Sequence, residues 1–252
     1  RMEKYRYYIY LLTLLFSYNL PANEIVLVAD EWCPYNCAPN SDKPGYVVEI
    51  TELVFAEADH TIIYKNVPWS RAILGVKDGL YTGAIAGTPK EIPTAIFHDV
   101  VLGFYGNEFV VLKESEWEYE NIDSLKDVRL AVIQDYNYGD SLNSYIARGK
   151  KIVVYTGDKI AQRVLESLLL NRIDAYVEDA NVIYYAAKEK GLLSKIRSAG
   201  QHDEPIPVQI AFTPKDPNSR SYADILSKGI IRLRKEGVLQ NILKKYGVPD
   251  WK

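Results

Sequence analysis

Cys33 and Cys37 are the only cysteines of the chain and lie close together in Trp32-Cys-Pro-Tyr-Asn-Cys37. In an oxidising compartment they can close a small loop disulfide, and in a reducing one they stay a thiol pair. Their spacing is one residue longer than a redox C-x-x-C, and two cysteines alone cannot complete a structural zinc site. His60, His98 and His202 are scattered, and no nucleophile elbow, zinc-binding helix or phosphate loop is present. Catalysis therefore has little support, and no metal or cofactor is expected. Asp179 ends the run Ile173-Asp-Ala-Tyr-Val-Glu-Asp179. A carboxylate at the C-terminal end of a strand, facing a cleft, can accept a charge-assisted hydrogen bond from an ammonium group. The same residue can instead cap the following helix. Trp32, Tyr35 and Trp69 offer faces that bury apolar stems or attract cations. Trp32 and Tyr35 sit in a Pro- and Cys-containing loop and point to a cleft, whereas Trp69, beside Pro68, suits a core as well as a cleft wall.

These side chains need a scaffold, and composition bounds it. A chain of 252 residues with 48% hydrophobic and 25% charged residues can build two cores of about 100 residues each. A formal charge of −3 with no basic stripe excludes a nucleic-acid partner. Arg1, Lys4 and Arg6 precede the apolar run Ile9–Phe16, and Pro21-Ala22-Asn23 follows it. Residues 1–23 thus read as a secretory signal, with an uncleaved anchor or a buried helix as the alternative. The run is shorter than the ~20 residues of a comfortable membrane span. No cysteine follows it closely, so a lipoprotein anchor is not indicated.

Strands and helices alternate beyond the signal, which predicts an α/β architecture. Strands are expected over 24–29, 61–65, 83–86, 108–112, 128–133, 152–155, 175–177 and 208–212. Helices are expected over 47–58, 69–77, 160–170 and 181–190. The segment Ile225–Val248 reads as two short amphipathic helices hinged at Gly237, with Ile230, Leu233, Ile242 and Leu243 on their buried faces.

That closing segment resembles the end of bacterial family 3 extracellular solute-binding proteins. Further pieces follow in order: Gly45-Tyr-Val-Val-Glu-Ile50, Pro68-Trp69-Ser-Arg71-Ala72, Val76-Lys77-Asp-Gly79, Thr88-Pro89 and the run ending at Asp179. The resemblance implies a two-lobe, type II periplasmic-binding-protein-like fold, each lobe a mainly parallel sheet flanked by helices. Residues 24–112 and 208–252 would form the first lobe and 113–207 the second, with crossings near Lys113 and Pro207 acting as a paired hinge. It implies a monomeric periplasmic protein that captures a small polar, amine-bearing solute, an amino acid or a relative, for the permease of an ABC-type transporter. Asp179 would bind the amine, Trp32, Tyr35 and Trp69 would line the cleft, and Arg71, Ala86, Thr88 and Asn137 would complete the site.

One end of the site departs from the family's pattern. Amino-acid binders of this family carry an arginine three residues after the threonine equivalent to Thr88, where it grips the ligand carboxylate. This chain has Glu91 there, leaving Lys90 or Arg71 as substitutes. The loop Asp135-Tyr-Asn-Tyr-Gly139 lacks the usual hydroxyl-rich sequence, although backbone N–H groups before the next helix can meet an anion. An ordinary α-amino acid is therefore not assured as the ligand. Two other readings share the fold: a ligand-sensing module for a membrane signalling partner, and a dehydratase-like enzyme.

Overall fold

A computed structural model describes residues 23–251, so the expected signal segment lies, apart from Asn23, outside the described residues. The apolar run Asn23–Ala29 forms β1, at the middle of a four-stranded sheet. Its neighbours are β2 (His60–Asn66) and β3 (Gly83–Ile85), both parallel to it, and β9 (Ile210–Phe212) closes the far edge antiparallel to β3. Strand alternation sends Ile25 and Leu27 to one face of this sheet and Val28 to the other. The first face packs on α1 (Tyr46–Ala56), α6 (Ser219–Lys235) and α7 (Val238–Tyr246), and the second on α2 (Trp69–Asp78). Ile230, Leu233, Ile242 and Leu243 are all buried there. Gly237 joins α6 to α7 at φ 76°, a backbone conformation that glycine adopts without a Cβ penalty.

The second sheet has the order β6-β5-β7-β4-β8, with β4 Phe104–Leu112, β5 Leu130–Ile133, β6 Ile152–Tyr155, β7 Ala175–Asp179 and β8 Ile196–Pro207. Helices α4 (Ile160–Leu169) and α5 (Ala180–Glu189) cover one face and α3 (Asp140–Arg148) the other. The molecule is thus an α/β protein of two lobes, each with its own sheet. The first sheet is mainly parallel. The second is evenly mixed, because β4 runs antiparallel to both β7 and β8.

This topology corrects one expected boundary. Over its whole length β4 pairs in the second sheet, so the chain leaves the first sheet before Phe104 rather than near Lys113. It returns between Pro207 and Ile210. The two crossing segments bond to each other: Leu102 N–H donates to the Val208 carbonyl at 2.8 Å, and Val208 N–H to that of Gly103 at 2.9 Å. Strand β8 was not among the expected strands, and its segment Gln201-His-Asp-Glu204 is strongly polar. It lies at the sheet edge, where charged side chains reach water and protect the strand from pairing with other chains.

After β1 the chain makes the tight Trp32–Cys37 loop, closed by a Cys33–Cys37 disulfide with Cα atoms 4.8 Å apart. The enclosed loop is short, so the chain entropy it removes from the unfolded state is worth about 2 kcal/mol. Replacing both cysteines by alanine should lower unfolding free energy by about that amount, read as a reduced urea midpoint.

Candidate functional site

The carboxyl ends of β1, β3, β5 and β7 converge between the lobes, the usual place for a ligand in open α/β sheets. They enclose a chamber of about 50 Å³. It shares Asp30 and Trp69 with a wider groove of about 380 Å³ that runs between the lobes. Aromatic rings form much of the chamber wall: Trp32 and Trp69 from the first lobe, Tyr105, Tyr136 and Tyr138 from the second. Trp32 lies against Tyr35 with ring centroids 4.1 Å apart and meets Tyr105 edge-on at 5.2 Å.

Three carboxylates line the same chamber, each held by an aromatic donor. Trp32 Nε1–H donates to Glu178 Oε1 at 3.1 Å, Tyr136 O–H to Asp30 Oδ2 at 2.6 Å, and Trp69 Nε1–H to Glu91 Oε1 at 2.9 Å. The first two bonds cross from one lobe to the other, as does an ion pair between Lys90 and Asp140 at the exposed rim. Burial pushes the Asp30 carboxyl up to about 6, against the lowering effect of the Tyr136 hydrogen bond. Burial likewise raises Glu178 to about 8; the Asp179 N–H and Trp32 bonds oppose this, while the charges of Asp179 and Asp30 add to it. Charged carboxylates in such a place lack a countercharge.

Several expected site residues lie elsewhere. Asp179 is a helix cap: its Oδ1 accepts from the N–H groups of Asn181 and Val182 at 3.0 and 3.3 Å and from the Tyr35 hydroxyl at 2.9 Å. Its Oδ2 accepts from Gly106 N–H at 3.1 Å, and it lines a separate hollow beside Phe104 and Pro205 rather than the chamber. Burial raises it to about 6 despite these bonds. Tyr35 is fully buried beneath Trp32 and belongs to the core, not the wall. Arg71 is exposed and outside the chamber, since two helical residues from Trp69 is nearly the opposite face of α2. Thr88 does not line the chamber; its N–H and Oγ–H both donate to Glu91 Oε2, at 3.1 and 2.8 Å. Trp32, Trp69, Ala86 and Asn137 do line it.

Sequence reasoning missed Asp30, Asn36, Glu178 and the three tyrosines as wall residues. Asp30 carried a usable signal, since it directly follows a predicted strand. Glu178 and Asp179 are neighbours on one strand and must face opposite sides, and nothing local says which faces the chamber.

The fold is that of the two-lobe, periplasmic-binding-protein-like class. The resemblance to family 3 solute-binding proteins extends to both sequence and structure. The chain is 26% identical over 219 residues to the probable amino-acid-binding protein YxeM of Bacillus subtilis, covering 84% of this chain and 79% of that one. No protein-family model matches it. One similar solved chain comes from glutathione import via GshT and the cystine ABC importer TcyBC of Streptococcus mutans. Its TM-score is 0.75 at 16% identity, over 91% of this chain and 98% of that one. Another is a histidine kinase sensor domain with similarity to periplasmic binding proteins, with TM-score 0.70 at 19% identity, over 89% and 96% of the two chains.

Proposed function

We propose that this protein is an exported receptor that captures a small polar, amine-bearing solute between its lobes and presents it to an ABC-type membrane permease. The observation that carries this reading is the chamber itself: carboxylates and aromatic faces from both lobes meet there, the combination that holds an ammonium group. Opening and closing about the bonded crossings at Leu102–Gly103 and Val208 admits the guest, and contacts made by both lobes at once favour the closed form. Asp30, Glu91 and Glu178 take the cationic end, with Trp32 and Trp69 as walls. Mass spectrometry of solute released from gently purified protein tests the reading. Recovery of an amine-bearing compound is expected. A protein that yields no solute and binds none from an amino-acid and amine panel does not have this function.

Trp69→Leu keeps an apolar side chain but removes the aromatic face and the Nε1 donor. It should weaken solute binding about tenfold by calorimetry, on the scale of one well-placed cation–π contact and its hydrogen bond. The similarity to a histidine kinase sensor domain supports a second reading, in which the same closure signals to a membrane partner. A permease encoded beside the gene favours transport, and a kinase favours sensing. Recovery of the bound compound chemically unchanged after incubation speaks against a dehydratase-like activity.

A further inference from the structure

The seat for a ligand carboxylate in this cleft is already taken by the chain itself. Where the resembled family places a carboxylate-gripping arginine, Glu91 turns its own carboxylate onto the donors that a guest's carboxylate would need. Oε2 accepts from Thr88 N–H and Oγ–H, and Oε1 from Trp69 Nε1–H. At the second anion-receptive point, the backbone before α3, two N–H groups are engaged in the same way. Tyr138 N–H donates to Asn143 Oδ1 at 2.9 Å and Gly139 N–H to Asn137 Oδ1 at 3.2 Å.

What the chamber leaves free is of the opposite character. Asn36 is 1% exposed and lines the chamber. Its Nδ2 donates to the Asp30 carbonyl and the Tyr64 hydroxyl, while its Oδ1 has no hydrogen-bond partner among the described residues. A buried acceptor left unpaired costs about 1–3 kcal/mol. Among the described residues, no lysine, arginine or histidine lines either the chamber or the groove. Lys90 is engaged with Asp140 at the rim. The groove adds Glu31, Asp135 and Asp158 to the acidic wall. The chamber's volume, about 50 Å³, holds only a few waters, at roughly 10–15 Å³ for each, and so suits a head group more than a whole solute. The rest of a guest would extend into the groove, along a second acidic stretch.

Building on the solute-capture reading above, we infer that the guest of this cleft is an organic cation that bears no carboxylate, of the diamine or guanidinoamine class. A carboxylate entering here would meet the carboxylates of Glu91 and Asp30 with no charged donor among the described residues to offset them, whereas an amine or guanidinium meets those acceptors and aromatic faces.

Calorimetric titration of the wild-type protein with two matched pairs, agmatine against arginine and cadaverine against lysine, isolates the carboxylate, because each pair differs only in that group. At least tenfold tighter binding of agmatine or cadaverine than of its partner is the expected result. Arginine or lysine binding as tightly as its decarboxylated partner, or tighter, overturns the inference and leaves solute capture intact. So does silence from all four compounds while another amino acid from a full panel binds. Silence across the four and the full panel overturns both.

Discussion

Unliganded protein should lose about 2 kcal/mol of stability between pH 6 and pH 8, and Glu178→Gln should remove most of that loss. Glu178 is 3% exposed, and burial raises its carboxyl from 4.5 to about 8. With the folded value above the unfolded one, folded protein keeps a proton that the unfolded chain has released. That contribution is complete below about pH 4.5 and is lost as pH rises through about 8. Asp30 and Asp179, raised from 3.8 to about 6, act in the same direction but are spent by about pH 6. His98 works against them. Burial lowers it from 6.5 to about 4, so its contribution is present above 6.5 and lost as pH falls through about 4. Its Nε2 accepts from Ile210 N–H at 2.9 Å, which fixes it as a neutral structural group. The interval from pH 6.5 to 8 therefore isolates Glu178 among these four. Glutamine keeps an oxygen for Trp32 and Asp179 N–H and cannot ionise. Urea denaturation of wild type and variant across that interval measures the difference; parallel profiles for the two proteins would refute the assignment.

Gly45→Ala should be the most damaging single-methyl change in the first lobe, costing about 4 kcal/mol or more. Gly45 precedes α1 at φ 112°, a region that residues with a Cβ rarely occupy. An added Cβ would lie 2.4 Å from the Asn36 Cα, 2.4 Å from the Tyr35 carbonyl oxygen and 2.7 Å from the Asn36 N. All three are backbone atoms of the disulfide loop, so relief requires moving the loop that carries Trp32 and Asn36 into the chamber. The Gly45 N–H, which donates to the Tyr246 hydroxyl at 3.0 Å, would be disturbed with it. Gly191→Ala supplies the control, because Gly191 sits at φ 67° with nothing within 4 Å of an added Cβ. That variant carries only the conformational cost of about 1 kcal/mol. Melting temperatures should separate the two by about 6 °C or more at this chain length. Equal melting temperatures would show that the loop yields freely.

Much of the scaffold is legible in the residues alone, because it follows from local periodicity. The apolar run at 24–29 and the helical spacing of Ile230, Leu233, Ile242 and Leu243 need only short-range rules to be read. Strand β8 was illegible for a physical reason. An edge strand is held by backbone bonds on one side, so its side chains can be as polar as those of a loop. Trp32, read as a cleft residue, and Trp69, read as suiting core or cleft wall, both line the chamber, whereas Tyr35 and Arg71, also expected in the site, lie outside it. Tyr35 is covered by the neighbouring indole of its own loop, and Arg71 is turned away by helical phase.

By itself, then, the order of residues determined the alternating α/β build, the closing helix pair and the presence of a glutamate where an arginine is usual. Only the tertiary structure decided which of two adjacent acids, Glu178 or Asp179, faces the chamber, and that Glu91 occupies the donors of Thr88 and Trp69. The reason is geometric. Strand alternation makes neighbours face opposite ways, but which way is set by the helix that one acid caps and by the lobe that closes over the other.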